Sequence, residues 1–261
     1  MRPVPWLTRA RVSNYRSLAD VDVRLGALTL LVGPNGAGKS NFLDALRFLA
    51  DAVATSPHQA ASTRGGVQGL LRRQLDTTVE SFLIEVDVEF PWEGGTSAEQ
   101  LLTGEPNPLA HATYQVHLAP QPARGHRPVE VVHEACRVTW RERSLGFTVR
   151  EGNPEHDGFV LPSKKVERDR LLLPLLGTTA TFAPLVRALE SMRFYHLDPM
   201  VMRQPVSETE ESVLGPAGEH LASVLGGLAE RDPKAKARFD EYLGAIVPGV
   251  RGMDREYGGN Y

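Results

Sequence analysis

The 261-residue sequence has one cysteine and no long hydrophobic run. A single thiol, Cys136, excludes an internal disulfide and a zinc site built from cysteines. No stretch approaches the ~18 apolar residues of a membrane-spanning helix, so no membrane contact is predicted. The N-terminal residues lack the apolar core of a signal peptide, and we therefore expect a cytoplasmic protein. A net charge of −3 provides no overall positive field of the kind that attracts nucleic acid.

The chain does contain a glycine-rich loop between an apolar run and an amphipathic helix. Residues 28–32 are apolar and partly β-branched, which predicts a short strand buried on both faces. Residues 33–40 then read G-x-x-x-x-G-K-S, and apolar positions at helical spacing follow as far as Val53. Strand, glycine loop and helix in this order are typical of a phosphate-binding loop. The sequence therefore predicts that the protein binds a nucleoside triphosphate.

The residue types of this loop suit a phosphate for physical reasons. Gly33, Gly36 and Gly38 allow the backbone to turn its N–H groups inward around an anion. The following helix adds the positive end of its dipole at the same point. Lys39 is placed to reach the β- and γ-phosphates, and the Ser40 hydroxyl is placed to bind Mg²⁺.

Hydrophobic periodicity divides the chain into three parts. Residues 1–54 contain the phosphate-loop core strands and helix. Residues 55–160 contain a loop and an antiparallel β subdomain, because apolar and polar positions alternate there. Residues 161–261 are predicted to be helical, with one returning core strand at 193–197. The predicted helices of this part are 166–176, 182–192, 217–230 and 233–246.

Several motifs together resemble one family of ATPases. A strand with Asn14-Tyr15-Arg16-Ser17-Leu18 precedes the phosphate loop, and Leu43-Asp44-Ala45 follows the loop. This combination resembles the RecF/SMC-like ATPases, the ABC-type heads of DNA-repair and phage-defence proteins. Within that group the chain is most similar to short AAA-family ATPases related to the overcoming-lysogenization-defect (OLD) ATPases. Residues 193–203 and 218–225 are also similar to that group, so the resemblance covers most of the chain.

The resemblance implies an α/β fold: a P-loop NTPase of the ABC-head type, with an antiparallel β subdomain and a helical C-terminal segment. It implies ATP and Mg²⁺ as cofactors, a head-to-head homodimer through the nucleotide, and DNA, a nuclease or another effector as possible partners. Arg16 would lie near the nucleotide, although a surface arginine that fixes a turn is an equal alternative. The implied nucleotide-binding residues of the loop are Gly33, Pro34, Asn35, Gly36, Ala37, Gly38, Lys39, Ser40 and Asn41.

The family also has a glutamine that contacts Mg²⁺ or the attacking water, and two residues are candidates for it here. Gln204 follows the predicted core strand, and Gln68 is its rival. For either residue a solvated loop glutamine is the alternative interpretation. No catalytic residue is therefore assigned from the sequence.

The sequence departs from the family at the elements that perform hydrolysis. It contains no Walker B strand, since His196 and Pro199 interrupt the segment most similar to one. It also lacks a Leu-Ser-Gly-Gly signature, because Gly226-Gly227 follow a leucine without the serine. We therefore expect a head truncated before these motifs, which hydrolyses ATP only in a complete dimeric form. The alternative is a non-hydrolytic nucleotide-sensing or scaffold module that recruits a nuclease or another effector.

Overall fold

A computed structural model describes residues 6–73, 79–92, 109–121, 129–161, 163–205 and 213–254. The chain divides into two compact units, Met1–Met192 and Arg193–Tyr261, and each is described by itself. Among the described helices, none has the length and apolar character needed to cross a membrane.

The described part of the first unit contains a seven-stranded antiparallel sheet in the order β2-β1-β3-β4-β5-β6-β7. The strands are β1 (Trp6–Tyr15), β2 (Leu18–Arg24), β3 (Phe82–Pro91), β4 (Leu109–Pro120), β5 (Val129–Trp140), β6 (Arg143–Arg150) and β7 (Asn153–His156). Core strands were predicted in the segment that contains β1 and β2, and alternation predicted β3 to β6, whereas β7 was not predicted. On β3, for example, Ile84, Val86 and Val88 are buried while the residues between them are partly exposed. Because β1 pairs with β3, the strands before and after the phosphate loop belong to one sheet.

Helices pack against the sheet and anchor the phosphate-loop region to it. They are α1 (Lys39–Ala54), α2 (Pro57–Ser62) and α3 (Ala183–Glu190). On α1, Phe48 lies 6.2 Å from the Tyr15 ring of β1 and 5.5 Å from the Phe82 ring of β3, measured between centroids. Burying each such side chain contributes roughly 1.5–3 kcal/mol. The helices predicted after the loop and near 182–192 are confirmed, whereas α2 lies in a segment predicted as a loop.

The predicted strand at 28–32 is absent from the structure. Between the end of β2 at Arg24 and the start of α1, the described chain has no strand. Leu28, Leu30 and Val32 are 80%, 75% and 90% exposed. A buried strand requires hydrogen-bonded neighbours, and no described segment pairs with these residues. The prediction was therefore wrong, because the apolar run has no partner strand among the described residues.

The predicted helix at 166–176 is also wrong for most of its length. One 3-10 helix, Leu173–Leu176, is the part of it that is helical. Upstream of this helix, the Val166 N–H donates to the Gly152 carbonyl next to β7 rather than within a helix. Pro174 has no N–H to donate, which further disfavours an α-helical ladder.

A fully buried carboxylate explains why this segment takes its observed path. Glu134 on β5 accepts hydrogen bonds from the N–H groups of Leu172 and Leu173, at 2.6 and 2.9 Å. The Tyr114 hydroxyl donates to the same carboxylate at 2.9 Å. Burial raises the pKa of Glu134 to about 7, although the three hydrogen bonds favour the charged form. The carboxylate thus binds amides that a helix would otherwise use.

The described part of the second unit contains three helices. Its helices are α4 (Pro199–Met202), α5 (Leu221–Arg231) and α6 (Pro233–Ile246), and the last two confirm the helices predicted at 217–230 and 233–246. The strand predicted at 193–197 is not formed, because its backbone bonds instead to a turn: the His196 N–H donates to the Pro216 carbonyl at 2.8 Å. Leu225 is the one buried hydrophobic residue among the described residues of this unit.

Candidate nucleotide site

The phosphate loop lies directly before α1, and its backbone conformation requires glycine at two positions. Gly36 and Gly38 have φ angles of 82° and 92°, in the left-handed region that favours glycine. A Cβ at Gly38 would also approach Leu18 Cδ2 to 2.8 Å, so the leucine side chain would have to shift. At Gly36 a Cβ would meet no atom within 4 Å. The loop therefore combines a tight contact at its end with open space at its centre.

Lys39 folds back over this loop. Its Nζ donates to the carbonyl oxygens of Gly33 and Pro34, each at 2.8 Å. Both acceptors are neutral, so the ammonium keeps its full net charge at the loop. An anionic oxygen is a stronger acceptor for this group than a carbonyl.

The start of α1 leaves amide donors available to a ligand. Within the described α1, the first turn contains no acidic residue, and the N-cap Gly38 offers no side-chain acceptor. The first N–H groups of a helix have no intrahelical partner, and the dipole makes this end positive. The side chain of Ser40 is exposed at the same end. The ammonium and the amides can donate hydrogen bonds to a triphosphate, and the hydroxyl oxygen can coordinate Mg²⁺.

The turn between β1 and β2 packs against the first turns of α1. The Asn41 Nδ2 donates to the Ser17 Oγ at 2.7 Å. Arg16 Nη1 forms an ion pair with Asp44 Oδ2 at 3.1 Å, and the Tyr15 hydroxyl donates to the same oxygen at 2.6 Å. Burial, and then the bond to Asp44, raise the pKa of Tyr15 well above its ordinary value. Of the predicted site residues, Arg16 thus lies beside α1 and Asn41 lies in its first turn, each with a protein partner.

Sequence reasoning had not assigned a role to Ser17 or Asp44, although both lie in the segments that carry the family resemblance. A signal for Asp44 was present in the spacing. It follows Asn41 by three positions, and residues at that spacing lie on the same face of a helix. Because Asn41 contacts Ser17 of the turn, Asp44 faces the turn as well.

A cavity of about 640 Å³ lies farther along α1. Its wall includes the Arg64 guanidinium, whose Nε donates to Asp44 Oδ1 at 3.0 Å and whose Nη2 donates to Asp51 Oδ2 at 2.7 Å. The side chain of Arg64 is 7% exposed, so these two carboxylates balance a buried charge. The residues lining the cavity belong to α1, α2 and their surroundings and do not include the phosphate loop.

The two glutamine candidates lie in different units. Gln68 is exposed on the 3-10 helix Val67–Gly69, and Leu70 just beyond it accepts a hydrogen bond from the Arg16 N–H at 2.7 Å. Gln204 follows α4, with its N–H donating to the Val201 carbonyl at 3.1 Å. Gln204 was preferred because it follows a predicted core strand, but residues 193–203, all of them described, form no strand. Neither glutamine is assigned a role.

Known proteins match parts of this chain. A family model described as "AAA domain, putative AbiEii toxin, Type IV TA system" matches residues 28–91. An OLD nuclease of Thermus scotoductus is 55% identical over 40 residues, which cover 15% of this chain and 8% of that protein. A DNA replication and repair protein RecF of Paenarthrobacter aurescens is 33% identical over 89 residues, covering 32% and 22%. An antibiotic resistance protein of Mycobacteroides abscessus is 40% identical over 76 residues, covering 26% and 13%.

The matched segments span less than a quarter of the length of each of these relatives. The match to the family model includes residues 33–40, since that match begins at residue 28 and continues through α1. The chain is therefore related to the AAA/ABC-type ATPases of the OLD and RecF kind, as the motifs predicted.

Proposed function

We propose that residues 33–41 form the ATP site of a RecF/SMC-like ATPase head that acts in DNA repair or anti-phage defence. The observation that carries this proposal is the geometry of the loop. Two left-handed glycines lead into α1, and Lys39 Nζ lies over the loop at 2.8 Å from two neutral carbonyl oxygens. Such a nest at a helix N-terminus suits a phosphate. The relation to OLD and RecF supports the assignment to repair or defence.

In this proposal each group of the loop has one task. The amide N–H groups of residues 33–41 bind the phosphate oxygens, and Lys39 exchanges its two carbonyl acceptors for the β- and γ-phosphates. The Ser40 hydroxyl binds Mg²⁺, which neutralises charge on the phosphates. Arg16 and Asn41 border the nucleotide while Asp44 and Ser17 hold them.

We further propose that the 261-residue chain binds ATP but does not turn it over by itself. The sequence offers no apolar run followed by paired acids and no signature serine. Hydrolysis would then require a complete head-to-head dimer through the nucleotide, with DNA or a nuclease as further partners. The second candidate is a non-hydrolytic nucleotide-sensing or scaffold module, which the same missing acids favour.

Calorimetric titration of ATP with Mg²⁺ into the wild-type chain and Lys39→Ala tests the binding site. We expect the affinity of Lys39→Ala to fall by at least an order of magnitude, about 1.4 kcal/mol, because a fixed cation is removed from the loop. Arg47→Ala is the matched control, since it removes an exposed cation from the same helix. Equal affinities of Lys39→Ala and Arg47→Ala, with both proteins folded, would refute the phosphate-loop assignment.

Phosphate release from ATP tests the second part of the proposal. We expect the wild-type chain alone to give a rate indistinguishable from that of Ser40→Ala, because the sequence contains no apolar run followed by paired acids. Robust Mg²⁺-dependent turnover that Ser40→Ala abolishes would contradict both this expectation and the non-hydrolytic alternative.

A further inference from the structure

Asp44 joins three side chains beside the phosphate-loop helix. Its Oδ2 accepts from the Tyr15 hydroxyl at 2.6 Å and pairs with Arg16 Nη1 at 3.1 Å, while its Oδ1 accepts from Arg64 Nε at 3.0 Å. Tyr15 is the last residue of β1, Arg16 lies in the turn that follows, and Arg64 lies just beyond α2. One partly buried carboxylate therefore fixes α1 relative to the end of β1, the turn and the segment after α2.

Arg16 is held more firmly than a surface arginine requires. Its φ angle is 49°, a left-handed conformation that is uncommon for a residue with a side chain. Its N–H donates to the Leu70 carbonyl at 2.7 Å, and its guanidinium carbon lies 5.8 Å from the centroid of the Tyr15 ring. Arg141 and Glu151 adopt the same left-handed conformation at the first position of two other hairpin turns, so it is a property of the turn. The contacts to Leu70, Tyr15 and Asp44 are what hold Arg16.

The next two residues of the turn contact the start of α1. Ser17 Oγ accepts the Asn41 side chain at 2.7 Å. Leu18 Cδ2 lies so close to Gly38 that a Cβ there would approach it to 2.8 Å. The orientation of Arg16 is therefore coupled, through one short turn, to the residues at the end of the phosphate loop.

We propose that Asp44 is a positioning residue for the nucleotide site. By pairing with Arg16 it holds the turn 16–18 against Gly38 and Asn41, and so sets the loop and the guanidinium for a triphosphate. The inference rests on the proposed function of residues 33–41. The inference goes beyond that function because Asp44 acts through Arg16 and does not itself touch the nucleotide.

The same helix provides a matched comparison. Asp51 also forms an ion pair with Arg64, at 2.7 Å, but it lies about two helical turns farther from the loop. Asp44→Asn and Asp51→Asn each remove one carboxylate charge from Arg64. Asp44→Asn is the variant of the two that also removes the ion pair with Arg16.

The experiment is calorimetric titration of ATP with Mg²⁺ into the wild-type chain, Asp44→Asn, Asp51→Asn, Arg16→Ala and the double variant Arg16→Ala/Asp44→Asn. We expect Asp44→Asn to weaken binding about tenfold and Asp51→Asn to change it less than about twofold. Both single changes should lower the thermal unfolding midpoint, since both leave Arg64 with one carboxylate. In the Arg16→Ala background, Asp44→Asn should weaken binding less than about twofold further, because its partner is already absent.

Two outcomes overturn the inference while leaving the ATP site intact. One is an affinity of Asp44→Asn equal to that of the wild-type chain. The other is a loss of affinity caused by Asp44→Asn that is the same in the wild-type and the Arg16→Ala backgrounds. A wild-type chain that does not bind ATP refutes the proposed function, and this inference with it.

A measurement on the wild-type chain keeps the inference testable where Asp44→Asn does not fold. Hydrogen exchange with and without ATP and Mg²⁺ should show slower exchange in residues 16–18 as well as in 33–41. Slower exchange confined to 33–41 would contradict the coupling between the turn and the loop.

Discussion

Glu134→Gln tests the buried carboxylate that shapes the segment before α3. The carboxylate accepts hydrogen bonds from Leu172 N–H, Leu173 N–H and the Tyr114 hydroxyl, and it has no exposed surface. All three partners donate, so two oxygens are needed to accept them. A glutamine offers one oxygen and replaces the other with an NH₂ group, which faces a donor.

The contribution of Glu134 to the free energy of unfolding depends on pH. The pKa of Glu134 is raised from 4.5 to about 7 in the folded protein, mainly by burial, so the folded protein binds this proton more tightly than the unfolded chain. The contribution of Glu134 to stability is therefore most favourable below pH 4.5 and declines as the pH rises through 7. At 1.36 kcal/mol per pKa unit, the decline is about 3 kcal/mol. The neutral glutamine lacks this dependence, but loses a buried hydrogen bond at roughly 1–3 kcal/mol.

Urea unfolding of the wild-type chain and Glu134→Gln is measured at pH 5, 6, 7 and 8 by far-UV circular dichroism. It reports both the pH-dependent contribution of Glu134 and the cost of the lost hydrogen bond. We expect Glu134→Gln to be the less stable protein at pH 5, and the difference to shrink or reverse by pH 8. The pKa values of His117 and His133 are lowered, chiefly by burial, but both proteins share these groups and their effect cancels in the difference. Glu142→Gln, in the exposed turn before β6, controls for a change of charge alone. A difference in unfolding free energy that stays constant across this pH range would refute the reasoning.

Two further predictions concern the glycine-rich loop and the apolar run 28–32 before it. Gly38→Ala should lower stability by more than about 1 kcal/mol and weaken ATP binding, because its φ is 92° and its Cβ would meet Leu18. Gly36→Ala has open space and should be milder, and urea unfolding that ranks the two in the opposite order would contradict this reasoning. Leu30→Thr should change the free energy of unfolding by less than about 0.5 kcal/mol, because Leu30 is 75% exposed. A loss of about 2 kcal/mol or more would indicate that this side chain is buried in solution.

Much of the local structure followed from the order of residue types. Alternation predicted β3 to β6, helical spacing predicted α1, α5 and α6, and the G-x-x-x-x-G-K-S spacing predicted the loop that precedes α1. These features depend on residues close together in the chain, whose side-chain direction repeats every 2 or 3.6 positions. The assignment of the loop residues to ATP and Mg²⁺ is still a prediction, and the titrations above test it.

The wrong predictions at 28–32 and 166–176 have a common cause. The structure of each segment depends on contacts with residues that are distant in the chain. An apolar run such as 28–32 has the composition of a buried strand, but only a neighbouring strand can bury it, and none of the described residues pairs with it. The segment 166–176 has apolar residues at helical spacing, yet the carboxylate of Glu134 binds two of its amides from 38 and 39 positions away.

By itself, the sequence determined the glycine-rich loop, the helix that follows it and the alternating strands, because each depends on local backbone preference and side-chain period. The tertiary structure alone decided that β1 pairs with β3, and that the Arg16 turn packs against α1 through Asp44 and Asn41. Those contacts join residues 24 to 83 positions apart in the chain. Their energy depends on three-dimensional distance, which the spacing of residue types in the chain does not specify.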